Sequence, residues 1–346
     1  MAPTMRAVRL SEFGGPEVLH TDRVPVPSAG RGEVLVAVHA VGLNPPDWYL
    51  REGMPDVPAD LRPPMDLPLI PGTDVSGVVT ALGEGVTDLA VGDEVFGMLR
   101  FPEPMNADAY AEYVVAPVED LARKPASLDH AHAAALPMAG LTAWQFLIDL
   151  GHDHPSPFQD AAHRPVPLGP GTTVLVNGAA GGVGHLAVQL AVWQGAHVTA
   201  VASGRHRRFL LDLGAQEVID YTEQRPEEAV GEVDLVLDVV GGPESRRFLP
   251  AVRRGGSIFP VYLARYDTDE VAARGITATA TQVRANGAQL AQLAGLVDAG
   301  TVRPAIDASF ELADAAEAHA RAAQGHIQGK IVLTVADGTS TSSPST

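Results

Sequence analysis

The residues best suited to chemistry in this sequence lie in one short turn. Ala179-Ala180-Gly181-Gly182-Val183-Gly184 follows the β-branched run Thr172–Asn177 and opens an apolar stretch, Val183–Gln194, with helical character. A chain that turns sharply, brings backbone N–H groups up to a pyrophosphate and packs a helix against its strand needs small residues here. A helix beginning at Val183 also offers unpaired N–H donors and the positive end of its dipole to phosphate oxygens. The usual pattern is G-x-G-x-x-G, and Ala179 stands at its first glycine, with Gly178 just before it to relieve the turn. A purely structural glycine turn is the alternative. The strand before and the helix after favour a dinucleotide, with Gly178, Ala180, Gly181, Gly182, Val183 and Gly184 as its contacts.

The end of the second strand decides which dinucleotide. NAD sites carry an acidic residue about 20 positions on, to accept hydrogen bonds from the ribose 2′-hydroxyl. Here Ser203 occupies that position, followed by Gly204-Arg205-His206-Arg207-Arg208. With no carboxylate to repel a 2′-phosphate and cations to pair with it, NADPH is the expected cofactor, and Ser203 and Arg205 its contacts. Arg207 and Arg208 fit a solvated helix face equally well.

These residues need a scaffold. Strands at Thr172–Asn177, His197–Ala202, Glu217–Asp220, Leu235–Val239 and Ser257–Pro260 alternate with helices at Val183–Gln194, Arg207–Leu213 and around Ser245–Val252. That rhythm predicts an α/β fold with a doubly wound parallel sheet. Gly241 and Phe259–Tyr262 follow later strands, where the ligand crevice of such a sheet lies, so Val240 and Val261 are expected to flank the nicotinamide. The first third reads instead as antiparallel β, with runs such as Val34–Val41 and Val75–Ala81 between Gly/Pro/Asp turns. Ser127-Leu128-Asp129-His130 resembles a helix cap. A helix at Ala313–Ala323, a strand at Lys330–Val335 and a disordered tail, 336–346, are expected at the end. The segments 51–69 and 152–169 lack periodicity and read as surface loops.

Composition removes several function classes. A net charge of −18 argues against nucleic acid or an anionic membrane as partner. No apolar run reaches the roughly 18 residues of a membrane span, and no secretory leader is apparent, so a cytoplasmic protein is expected. The absence of cysteine excludes disulfides and thiolate zinc sites. His152, His154 and His163 show no metal-ligand spacing, and His185 and His197 read as structural.

The stretch Asn177–Ala191 resembles the nucleotide loop of medium-chain dehydrogenases/reductases, in particular the zinc-independent quinone oxidoreductase-like branch. Further segments agree in order and spacing: Ile70–Val79, Val91–Gly97, Ala139–Ala143, Leu237–Gly242 and Gly329–Leu333. The resemblance implies a GroES-like catalytic domain from 1–126 and 300–346, a Rossmann NADPH-binding domain from 127–299, an active-site cleft at their junction, and a homodimer. Zinc members carry Gly-His-Glu where this chain has Gly72-Thr73-Asp74, so no metal is expected.

Without a metal, reduction of an activated C=C in an enone, or of a quinone, fits best. Hydride reaches the β-carbon, donors stabilise charge on the carbonyl oxygen, and a proton follows. By resemblance, Asn44 positions cofactor or substrate and Tyr49, whose hydroxyl ordinarily ionises near ~10, donates a hydrogen bond or proton. Asn-Pro also forms turns, and Trp48 and Tyr49 also fill a domain edge; both readings stand. Thr142 is a candidate contact of the nicotinamide ribose or an ordinary helix hydroxyl, and Lys330 a cofactor contact or a strand-edge lysine. A dedicated biosynthetic substrate, a metal-free carbonyl or alcohol dehydrogenase, and a catalytically weak NADPH-binding protein are the remaining alternatives.

Overall fold

The computed structural model describes residues 3–55, 57, 62, 64–154 and 162–335, and falls into two compact units. One comprises Met1–Pro137, Ala308–Gly325 and Ile331–Thr346; the other comprises Met138–Asp307 and His326–Lys330. The tail 336–346, and parts of both aperiodic segments, lie outside the described residues.

The first unit begins with β1 (Thr4–Arg9) paired antiparallel to β2 (His20–Pro25). Next come β3 (Glu33–Gly42), helix α1 (Pro45–Arg51), β4 (Asp74–Leu82), β5 (Glu94–Met98), β6 (Tyr113–Pro117), β7 (Leu121–Arg123) and α2 (His130–Ala134). β3 alternates strictly, burying Val34, Val36, Val38 and Ala40 on one face as a half-buried strand should. Its register against β4 shifts at Leu35/Val36 and at Val38/Ala40, and the pairing continues to Gly42. Its first half also pairs with β6 and its last residues with a strand from the far end of the chain, which produces the barrel-like wrap.

The second unit starts with α3 (Pro137–Leu147) and then alternates: β8 (Thr173–Asn177), α4 (Gly182–Trp193), β9 (His197–Ala202), α5 (Arg207–Asp212), β10 (Glu217–Asp220), α6 (Pro226–Ala229), β11 (Val233–Asp238), β12 (Val252–Pro260), α7 (Thr268–Arg274), β13 (Thr277–Ala278) and α8 (Gly287–Asp298). The sheet order is β10-β9-β8-β11-β12-β13, all parallel. Counted within this unit it reads 3-2-1-4-5-6, with the reversal between β8 and β11, where a doubly wound sheet opens its ligand crevice. Apolar residues fill both faces of the central strands, among them Leu175, Val236 and Ile258, as burial under helices demands. The chain returns to the first unit's sheet through β14 (Ile306–Glu311), α9 (Ala315–Ala323) and β15 (Lys330–Thr334).

Several expectations change. The helix at Ser245–Val252 is a 3₁₀ run, Pro243–Ala251, and β12 begins at Val252; Pro250, lacking an N–H, does not support an α-helical ladder. The division at 127 moves to 137/138 because α2 packs on β3 and β4, so closely that a Cβ on Gly42 would sit 2.2 Å from the carbonyl oxygen of Ala134. The division at 299/300 moves to 307/308 because Arg303 and Ala305 bond to Gln189 and His185 of α4. Arg51 and His163, both assigned to surface loops, are buried. Arg51 ends α1, and His163 fits between Phe146 and Phe259 and bonds Thr279.

Candidate functional site

The nucleotide turn is set by what its residues lack. Gly178 follows β8 with φ +77°, and Gly181 caps α4 in extended conformation, so the helix starts one residue earlier than predicted. As a glycine cap has no side chain to bond the first turn, the N–H groups of Gly182, Val183 and Gly184 have no intrahelical acceptor. A Cβ on Gly184 would lie 2.2 Å from the Gly178 oxygen and 2.7 Å from Ala179 Cα; only glycine lets the helix lie this close. Ala179, at the irregular first position, is buried and donates its N–H to Val201. His185 fastens the turn from behind. Ala305 N–H donates to its Nε2 (3.1 Å), so the proton sits on Nδ1 and goes to the Gly181 oxygen (2.9 Å). Burial holds this imidazole neutral, down to about 4.

At the end of β9 the Ser203 hydroxyl is buried without a partner among the described residues, the kind of orphaned group a bound ligand satisfies. Arg205 is steered by its neighbours: Nε donates to His206 Nε2 (3.0 Å) and Nη2 to the His326 carbonyl. Arg208 pairs with Asp212 one turn on. A carboxylate that the sequence reading missed, Asp220 at the end of β10, lies against Gly204. Thr222 meets it with both N–H and hydroxyl, bonds that lower its pKa and leave it a fixed acceptor.

The turns after β8, β11 and β12 meet at the switch point. A Cβ on Gly178 would touch Val240, and one on Gly241 (φ +62°) would strike the Tyr262 backbone. Val240 is 59% exposed, an apolar side chain left open at the crevice, while Val261 donates its N–H to the Asp238 carbonyl. Asp238 Oδ1 binds Asn177 and the amides of Val240 and Gly241, while its buried Oδ2 has no partner among the described residues. Lys330 comes to the loop too. It is buried, its stem runs over Gly182, and Gly329 donates its N–H to the Ala180 oxygen. Thr142 is different: its hydroxyl donates to Met138 within α3, and no hydrogen bond of its side chain reaches the loop.

In the first unit Asn44 is the N-cap of α1. Its Nδ2 donates to the Gly42 oxygen, and its own N–H goes to Asp47 Oδ2 (2.8 Å). Two prolines in the first turn, where no N–H is needed, complete the start of the helix. Tyr49 is half-buried on this helix, edge-on to Trp48. Sequence reasoning missed what lies behind it. Asp47 and Arg51 of α1 join Tyr110 and, from α9, His319 in a buried set. Tyr110 lies over Gly72, whose φ of +98° and missing Cβ make room for the ring. Burial, then the charge of Asp47, push the Tyr110 hydroxyl well up, while burial and Arg51 push His319 down to about 3. The opposite charges of Asp47 and Arg51 on one helix were the sole local signal; nothing in the sequence links them to 110 or 319.

The sequence has no cysteine, positions 73 and 74 are the buried Thr73 and Asp74, and among the described residues no three His, Cys, Asp or Glu side chains group to hold an ion. Among the described residues, no helix is long and apolar enough to cross a membrane.

Known proteins resemble nearly the whole chain. Residues 30–126 match the family described as alcohol dehydrogenase GroES-like domain, and 213–333 the one described as zinc-binding dehydrogenase. A chloroplast envelope quinone oxidoreductase homolog of Arabidopsis thaliana is 33% identical, over 95% of this chain and 98% of its own. An NADPH-dependent alkenal/one oxidoreductase of the same plant, also chloroplastic, is 32% identical over 95% of this chain and 79% of its own. A solved NAD-dependent alcohol dehydrogenase superposes with a TM-score of 0.83 at 32% identity, over 96% of this chain and all of that one.

Proposed function

This chain belongs to the medium-chain dehydrogenase/reductase superfamily, in its quinone oxidoreductase-like branch, and is an oxidoreductase; on that premise we propose that it is an NADPH-dependent, zinc-independent reductase of an activated C=C or a quinone. The observation that carries the cofactor choice is the buried, unpartnered Ser203 hydroxyl beside Arg205, at the strand end where an NAD site needs a carboxylate. NADPH supplies the hydride when bound. The protein's part is to hold and orient it. The first turn of α4 offers Gly182, Val183 and Gly184 N–H to the pyrophosphate, Ser203 and Arg205 take the 2′-phosphate, and Val240, Gly241, Val261 and Tyr262 border the nicotinamide at the switch point. Lys330, packed on Gly182, adds a cation to the phosphate end. In the first unit, Tyr49 donates to the substrate oxygen and Asn44, as cap, fixes the helix that carries it. Thr142, whose hydroxyl oxygen can still accept a hydrogen bond, stays a candidate contact of the nicotinamide ribose. A homodimer and a cytoplasmic setting go with the reading, and size-exclusion chromatography with light scattering tests the first.

The deciding experiment is an NADPH-oxidation screen over quinones, enones and saturated ketones, with NADH in parallel and stereochemical analysis of products. Enones or quinones with NADPH should turn over fastest. Saturated ketones turning over faster would favour a metal-free carbonyl or alcohol dehydrogenase, a reading that the alcohol dehydrogenase likeness supports. NADPH binding with no turnover on the panel would favour a non-catalytic binding protein.

A further inference from the structure

α1 is seven residues long, far below what holds a helix in water unaided, so its placement comes from what it packs against. Its inner side carries a carboxylate at Asp47 and a guanidinium at Arg51, one turn apart. Burying both is costly unless each is bonded. Arg51 Nη2 pairs with Glu52, and Asp47 Oδ2 accepts the Asn44 N–H; further bonds between the two charges run through two residues from elsewhere in the chain. Arg51 Nη1 lies 3.0 Å from His319 Nδ1, His319 Nε2 lies 3.0 Å from the Tyr110 hydroxyl, and that hydroxyl lies 3.2 Å from Asp47 Oδ2. The direction of every proton follows. A guanidinium only donates, so His319 Nδ1 accepts and its hydrogen sits on Nε2. That hydrogen goes to the Tyr110 oxygen, and the Tyr110 hydrogen goes to the carboxylate. Trp48, also on α1, meets the His319 ring edge-on with centroids 6.5 Å apart. Arg51 Nε further ties the helix to the Gly14 oxygen.

We propose that Arg51, His319, Tyr110 and Asp47 form a relayed ion pair whose task is to position α1, making His319 and Tyr110 positioning residues for the reaction at Tyr49. This deepens the reductase reading and rests on it. The relay needs a neutral ring in the middle that accepts on one side and donates on the other. A glutamine at 319 supplies both functions; a leucine supplies neither.

The test compares His319→Gln, His319→Leu and Tyr110→Phe in the full chain, using NADPH with whichever quinone or enone the wild type reduces. His319→Leu and Tyr110→Phe are expected to lose roughly ten- to fifty-fold in kcat with the NADPH KM within about twofold. His319→Gln should stay within about threefold of wild type. The second measurement is hydrogen exchange of the Glu52, Gly53 and Met54 amides, which bond back to Trp48, Leu50 and Tyr49. Their exchange should speed up at least about tenfold in the two disrupted variants and stay near wild type in His319→Gln. Should His319→Leu fail to fold, the nearly isosteric Tyr110→Phe carries the comparison. Unchanged protection and kcat in Tyr110→Phe, or a glutamine variant as impaired as the leucine one, overturns the proposal. A wild type that reduces nothing on the panel instead removes the reductase reading, and exchange alone then decides whether the relay positions α1.

Discussion

The turn after β8 and the helix α1 prepare for chemistry by opposite means. Around Gly178–Gly184 the structure works by omission: side chains are absent, backbone N–H groups are left unbonded, and a helix lies against its strand at a distance only glycine permits. Around α1 four buried polar side chains from three separated stretches of chain bond one another. The first design is sensitive to volume and indifferent to side-chain chemistry. The second is the reverse, since a nearly isosteric change that removes one hydroxyl breaks the chain of bonds.

Gly184→Val should separate the two most sharply. Its Cβ must displace the Gly178 carbonyl, 2.2 Å away, which is backbone and has nowhere to rotate. Overpacking of this kind costs about 1–3 kcal/mol before any loss of ligand bonds. NADPH affinity is expected to fall by more than about a hundredfold, read by quenching of protein fluorescence, with a lowered melting temperature. α1 amide protection should be untouched. A valine variant that keeps wild-type NADPH affinity would show that the close approach is not what the loop requires.

The same contrast explains what was legible. The turn between β8 and α4 could be read because everything its geometry needs is contiguous: strand, small residues, helix. The parallel sheet followed from its own alternation, and the β-rich start from its turns. Distances between elements could not be read that way. Asp220 reaches Gly204 only because β10 lies beside β9, and no local pattern announces it. His319 was passed over inside a helix of alanines, and Arg51 was placed in a loop, since the partner that buries each is far away in the sequence. Pro250, inside the run, is the signal in the sequence against an α-helix there.

A smaller effect is expected at Arg205. The side chain is exposed and already held by His206 and the His326 carbonyl, so it is oriented at little cost and screened by water. A hydrogen bond to a charged group contributes about 1.5–3 kcal/mol, and exposure puts this one at the low end. Arg205→Ala should therefore raise the NADPH KM about tenfold and leave the NADH KM nearly unchanged. Equal changes in both would remove the 2′-phosphate from this place and turn attention to Arg207.

The smallest effect concerns pH, and it sets His185 of the nucleotide helix beside His319 of the relay. Both imidazoles are held neutral by burial, His185 down to about 4 and His319 to about 3, and His163 behaves like His185. Between these values and the ordinary 6.5, the unfolded chain binds more protons than the folded one, so stability rises with pH across that window. It is fully present above about 6.5 and is lost on the way down to 4. Asp108 and Asp120 act with the opposite sign. Burial raises each to about 6, so the folded chain holds more protons between the usual carboxylate value and 6, and acid favours it. The net slope is thus a difference, and single substitutions resolve it better than the wild-type curve. His185→Gln keeps a donor for the Gly181 oxygen and an acceptor for Ala305 but cannot titrate. The fall in melting temperature from pH 7 to pH 4.5 should shrink by about 2–5 °C, on the usual scale of a few degrees per kcal/mol. An unchanged fall would mean that His185 takes no part in the acid sensitivity.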